Sequence, residues 1–159
     1  MRIKKKDSYW MSKAIHLAKI AEKNGEIPIG AILVYKDKQI ASGRNNSIFF
    51  HDPCAHAEIL ALRIGGKYLK NYRLLNTTLY VTLIPCIMCL GAILNARIKR
   101  LVYGANQNKI YSNEFINSML KKKFNHKIIV SGGILKDRCS DILNNFFLKR
   151  RNKTFFEIF

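Results

Sequence analysis

Apolar runs of strand length alternate along this chain with stretches of helical spacing, and the alternation predicts an α/β layer structure with a mixed sheet. Two further observations shape that expectation. At 159 residues with 48% hydrophobic content, the chain is long enough for a single domain, residues 1–159, with a core of its own. The two stretches richest in metal-binding side chains, His56-Ala57-Glu58 and Pro85-Cys86-Ile87-Met88-Cys89, each open a helix. They should therefore meet at one end of the sheet, where helix N-termini converge.

Residues 1–7, with Arg2 and Lys4-Lys5-Lys6, read as a basic tail. Ser8 then suits an N-cap, Trp10, Ala14, Leu17, Ala18 and Ala21 fall at helical spacing, and Gly25 can close a helix running to about Asn24. Two β-rich runs, Ile29 to Tyr35 and Gln39 to Gly43, flank Lys36-Asp37-Lys38 and predict a hairpin whose turn lacks an Asn-Gly pair. The loop from Arg44 to Phe50 leads to the His51-Asp52-Pro53 turn. In it, Asn45 and Asn46 suit turn chemistry or a base edge, and Phe49 and Phe50 suit core packing or stacking on nucleotides.

A helix from Ala55 to Ile64 is expected to end at Gly65-Gly66, and a polar loop through Asn71-Tyr72-Arg73 follows. Thr77 to Leu83 is a strand that feeds Pro85. The helix from Cys86 to Asn95 is apolar on nearly every side, as expected of a core element or half of a subunit interface. Arg97 to Gly104 and Lys127 to Val130 are further strands, with a weak pattern between Ala105 and Lys123 that allows a short helix near Asn113 to Leu120. The C-terminal helix, about residues 137–153, turns Ile142, Leu143, Phe146 and Phe147 inward. It carries Lys149-Arg150-Arg151 toward its end, where the helix dipole favours cations.

Thiolate and imidazole suit Zn²⁺, and the three ligands His56, Cys86 and Cys89 leave a fourth tetrahedral corner open to water, the arrangement of a catalytic rather than a structural site. Water so placed is a nucleophile near neutral pH. Cys86 and Cys89 are three residues apart and share a helix face, Pro85 suits the start of that helix, and the helix N-terminus favours thiolates. His56 and Glu58 are two apart, so they share a site only if His56 stands at the helix entrance and Glu58 in its first turn. Glu58 is then a proton shuttle and not a ligand. The alternative is a closed finger-like site in which His51 and His56 join the two cysteines, a site that gives Glu58 no task. Cys54 and Cys139 are expected to be packing residues.

Four cysteines, two of them in a Cys-x-x-Cys pair, predict a reducing compartment, the cytoplasm, and metal binding in place of disulfides. The basic N-terminus is followed by Lys13, His16 and Lys19, which excludes the apolar run of a signal peptide, and no stretch reaches the ~20 apolar residues of a membrane span. A net charge of +18 fits a polyanionic partner, although a chain this rich in Lys, Asn, Ile and Phe also carries lysine through composition alone.

His-x-Glu followed by Pro-Cys-x-x-Cys is the signature of zinc nucleobase deaminases. The chain further resembles the bacterial tRNA-specific adenosine deaminases from about Ser8 to Lys153. The matching stretches are Ile27-Pro28-Ile29-Gly30-Ala31, His51-Asp52-Pro53, Asn71-Tyr72-Arg73-Leu74, Leu79-Tyr80-Val81-Thr82-Leu83, and Phe146-Phe147 with Arg150-Arg151. The resemblance implies a cytidine-deaminase-like three-layer α/β/α fold around a five-stranded mixed sheet, a homodimer, and one zinc ion per subunit held by His56, Cys86 and Cys89. It implies hydrolytic deamination of adenosine-34, in the anticodon loop of an arginine tRNA, with Glu58 as shuttle, Asn45 at the target base, and Phe147, Arg150 and Arg151 near the loop. Ile84 stands where the family has Glu, Gln107 where it commonly has Asp, and Asn108-Lys109-Ile110-Tyr111-Ser112 replaces a Gly-containing segment. The rival readings are a deaminase of free bases or nucleotides on the same fold and a non-catalytic zinc-stabilised RNA-binding module.

Overall fold

The structure, a computed structural model, describes residues 2–106, 114, 118–119 and 126–156. In chain order the elements are α1 (Arg2–Lys23), β1 (Gly30–Tyr35), β2 (Lys38–Arg44), α2 (Ser47–Phe50), α3 (Ala57–Leu69), β3 (Thr77–Leu83), α4 (Ile87–Asn95), β4 (Arg100–Ala105), β5 (Ile129–Ser131) and α5 (Lys136–Phe156). The strands form one sheet in the order β2-β1-β3-β4-β5. β1 runs antiparallel to both β2 and β3, whereas β3, β4 and β5 are parallel, so the sheet is mixed as expected. The parallel pair β3/β4 needs a crossover, which α4 supplies.

Side chains alternate across the strands and build two cores. On one face Ala31, Leu33, Leu79, Val81 and Leu101 pack with Ala57 and Ala61 of α3 and Leu90 and Ile93 of α4. On the other, Ile32, Val34, Tyr80 and Val102 pack with Trp10, Met11, Ala14 and Ile15 of α1 and Cys139 and Leu143 of α5. Two glycines set how closely the layers approach. A Cβ on Gly30 would lie 2.1 Å from the Ala14 carbonyl oxygen, and one on Gly43 would lie 2.1 Å from that of Ala57. The hairpin is thus pressed between α1 and α3 at positions where no side chain fits.

Several boundaries differ from the sequence expectation, and three of the differences have a clear physical cause. The N-terminal residues are the first turns of α1 and not a tail, and the helix begins at Arg2 instead of Ser8. Lysine is a good helix former, and the extended helix carries Asp7 into a buried position. There it accepts from the Tyr80 hydroxyl at 2.9 Å and from both Arg100 terminal nitrogens at 2.8 Å. α3 continues through Gly65-Gly66 and ends at Lys70, whose backbone is left-handed (φ 50°). Gly65 marks a contact and not a stop, since a Cβ there would meet Leu33 Cδ2 at 2.3 Å. The hairpin turn is two residues long, with Lys36 and Asp37 both at positive φ, the type I′ conformation that matches strand twist even without Asn-Gly. Of the segment expected to hold a short helix near Asn113 to Leu120, only Glu114, Ser118 and Met119 are described, each as helix; its other residues, with Gln107 and the run from Asn108 to Ser112, lie outside the described residues.

Candidate active site

The site forms where α3 and α4 begin. His56 is the N-cap of α3 and Cys86 the N-cap of α4, both in extended backbone, and Cys89 lies in the first turn of α4. Glu58 is in the first turn of α3, so the spacing argument for His56 and Glu58 holds. His56 Nδ1 is 3.6 Å from Cys86 Sγ and 3.5 Å from Cys89 Sγ, and the three ligand atoms lie within 4.8 Å of one another. With metal–ligand bonds of about 2.0–2.3 Å, the edge of a tetrahedron is about 3.6 Å. The donor set and its spacing therefore fit a zinc ion.

The electrostatics of the cluster point the same way. The Cys86 thiol is pushed down to about 4, first by the hydrogen bond from Cys89 and then by that from His56. The same Cys86 contact, with burial, pushes the Cys89 thiol up, and the hydrogen bond with Cys86 raises His56. These groups compete for protons at one point in space, which is how a metal site looks before its ligands shed protons to a cation. Glu58 is 3% exposed, burial pushes its carboxyl up to about 7, and its Oε2 has no hydrogen-bond partner among the described residues. A buried carboxylate oxygen without a partner is costly unless another group meets it there.

His51 is exposed in the left-handed position that ends α2, and Cys54 is exposed and not the packing residue expected, its amide bonded to Asp52 Oδ1 at 2.8 Å. Neither belongs to the ligand cluster among the described residues, so the finger-like alternative loses its fourth ligand. Cys139 is buried against Gly104, where a Cβ would lie 2.4 Å from its Sγ, as expected of a packing residue. Ile84 is buried at 2% exposure, and its amide bonds the Ala105 carbonyl at 2.9 Å. It stands in the core, where an apolar side chain is at home.

Asn45 is buried beside the same helix entrance. Its Oδ1 accepts from the Ala57 amide at 2.9 Å, which fixes the oxygen's identity and turns the amide nitrogen elsewhere. Turn chemistry and a base contact are thus compatible roles for one side chain. Phe147 is 43% exposed and not on the inner side of α5, and Arg151 is exposed. Arg150 stacks over Phe146 at 4.8 Å and donates to the Gly25 carbonyl at 2.8 Å, while Lys149 pairs with Glu22 at 3.1 Å. The basic end of α5 is therefore fastened to the end of α1.

One residue the sequence reading passed over is Glu26. It is buried at 2% exposure, and its Oε1 accepts from the amides of Ile48 at 2.9 Å and Phe49 at 3.0 Å, bracing the segment between Asn45 and His56. Nothing local marks it, since its partners lie more than twenty residues away.

Residues 5–151 match the family of MafB19-like deaminases. Fold and site together define a deaminase, an enzyme that hydrolyses a carbon–nitrogen bond. The chain is 51% identical over 146 residues to a tRNA-specific adenosine deaminase of Buchnera aphidicola subsp. Schizaphis graminum, covering 92% of this chain and 97% of that one. It is 51% identical over 152 residues to the tRNA-specific adenosine deaminase of Haemophilus influenzae, covering 92% and 86%. A solved structure from a study of A-to-I editing by tRNA:A34 deaminases at the wobble position superposes with a TM-score of 0.78 at 37% identity, over 85% of this chain and 99% of that one. The chain belongs to the tRNA-specific adenosine deaminases.

Proposed function

We propose that this chain converts adenosine-34 to inosine by hydrolytic deamination in the anticodon loop of an arginine tRNA. The observation that carries the reading is Glu58, a buried carboxylate with an unpartnered oxygen, held on the same helix entrance as one of three clustered ligands. His56, Cys86 and Cys89 would hold one zinc ion per subunit, which supplies electrophilic activation of a water. Glu58 accepts the proton of the attacking water and delivers it to the amino nitrogen of adenine. The C6–O bond forms first and the C6–N6 bond then breaks, so ammonia leaves with that proton while the water's second proton ends on N1 of the purine. Asn45, its oxygen committed to Ala57, offers its NH₂ to an acceptor on the base edge.

The substrate class follows from the relatives and from the charge of +18, which suits an RNA backbone. A loop adenosine is already largely unpaired and needs little work to leave its stack. Phe147 and Arg151, exposed at the end of α5, contact the loop, and Arg150 orients that end through Gly25. Two copies associate through the apolar groove of about 1230 Å³ between α3 and α4, lined by Ile59, Leu62, Met88, Ala92 and Leu94. The reducing cytoplasm suits the thiolate ligands; among the described residues, no helix is long and apolar enough to cross a membrane.

The test is incubation of wild type and Glu58→Ala with an arginine tRNA, followed by detection of inosine. Wild type should produce inosine, and Glu58→Ala should produce none while keeping its zinc and its affinity for the tRNA. Turnover by the variant would remove Glu58 from the reaction. Deamination of free bases with the tRNA untouched would replace the substrate.

A further inference from the structure

The hook that joins the candidate base contact Asn45 to the ligand His56 carries three consecutive apolar residues in solvent. Ile48 is 56%, Phe49 75% and Phe50 51% exposed. Isolated apolar side chains on a surface need no explanation, but three in a row on one turn do. This turn is also held still. The Glu26 carboxylate fixes the amides of Ile48 and Phe49, Asn46 donates to the Ala55 carbonyl at 3.0 Å, and Asp52 donates to that of Ser47 at 3.1 Å. The two rings meet edge to face with centroids 5.3 Å apart, so one ring stands across the other instead of covering its face. A rigid loop presenting aromatic faces to water beside a reaction site has the physical make-up of a stacking platform, since π-faces accept any base and little side-chain freedom remains to be lost.

We infer that Phe49 and Phe50 form a platform on which the nucleotide adjoining the target adenosine stacks, and that Glu26 is the positioning residue that holds the platform in register with Asn45. The inference rests on the RNA reading above. Two observations select an RNA base as the occupant. The platform is continuous in the chain with the site, Asn45 at one end and His56 at the other, and those ends are tied together by the Ala57–Asn45 and Asn46–Ala55 hydrogen bonds. The chain also has 28 Lys and Arg against 10 Asp and Glu, which favours a polyanion over another cationic protein surface. Unstacking the target base leaves its neighbour with an uncovered face, and an aromatic ring restores that contact.

The experiment uses anticodon stem-loops with 2-aminopurine placed immediately 5′ or immediately 3′ of the target adenosine, and steady-state inosine formation on the unlabelled stem-loop. Wild type should quench one of the two probes. The Phe49→Ala/Phe50→Ala double variant should lose the quench and raise KM about tenfold, as expected for loss of one base–aromatic stack, with kcat within about twofold and zinc content unchanged. A Phe49→Tyr/Phe50→Tyr variant should restore both. Glu26→Gln, with both rings present, should weaken the quench and raise KM in the same sense. An unchanged KM and quench in the alanine variant, with wild type active, would overturn the platform alone. Wild type inactive on every stem-loop would overturn the RNA reading and the platform with it. Loss of self-association in the alanine variant by sedimentation, without loss of quench, would assign the rings to a second copy of this chain.

Discussion

Asp7 shows how much a single side chain can hold. It is 3% exposed and joins α1 to β3 through Tyr80 and to β4 through Arg100, which also reaches Ser131 of β5 at 3.0 Å. Burial and the neighbouring Asp7 push the Tyr80 phenol up, so it stays a donor. Asp7→Asn should cost about 3 kcal/mol in chemical denaturation at neutral pH, because Arg100 keeps its charge in a half-buried place and loses its bidentate partner. Tyr80→Phe should cost about 1 kcal/mol. The cysteines give a second prediction. Burial pushes the Cys139 thiol up to about 12 from an ordinary 9.0. The folded chain therefore keeps a proton that the unfolded chain releases, and Cys139 should erode stability only as pH climbs from 9 toward 12. Below that range, with zinc bound, iodoacetamide should label Cys54 in the native protein and Cys139 only after unfolding, a contrast readable by peptide mass spectrometry. None of the Asp7 network is visible in the sequence, because Asp7, Tyr80 and Arg100 are brought together by strand order and not by spacing.

Among the elements, the two helices that carry the ligands were the most legible. Metal chemistry demands that Cys86 and Cys89 share a face and that His56 and Glu58 straddle a helix entrance, so side-chain function dictated backbone placement. Where no such demand existed, ordinary signals misled. Ser8 looked like a cap but sits inside α1, its carbonyl accepting from Ser12 Oγ at 2.8 Å, and Gly65-Gly66 looked like a terminus but admits a neighbouring strand. Glycine's absence of a side chain serves close approach as well as turning, and a sequence alone does not say which. The distinction is measurable at two positions. Gly43→Ala would set a methyl 2.1 Å from the Ala57 carbonyl oxygen and displace the start of α3. It should cost about 3 kcal/mol or more and weaken zinc retention. Gly91→Ala, in α4 with nothing within 4 Å of the new methyl, should leave zinc untouched and stabilise by up to about 1 kcal/mol, by thermal melting of both variants side by side.

At the scale of the molecule, the layered α/β architecture was readable because alternation of strands and helices is a whole-chain pattern that survives errors at any one boundary. The antiparallel β1/β2 hairpin was readable too, but the antiparallel pairing of β1 with β3 was not, since that partner depends on long-range packing. If His56, Cys86 and Cys89 hold zinc as proposed, the ion should behave as a global stabiliser. Chelation should lower the melting temperature, and added zinc should restore it in proportion to the logarithm of free metal. His56 and Cys86 are 30 residues apart, and the whole of α3 and β3 lies between them. The latch has an order of assembly written into it: a polypeptide growing from its N-terminus exposes histidine first and the second sulfur 33 positions later. Until then the hairpin side and the crossover side are joined only by β1–β3 pairing and the apolar core between α3 and α4, and a metal-starved chain should keep those contacts while its ligand cluster stays unclasped.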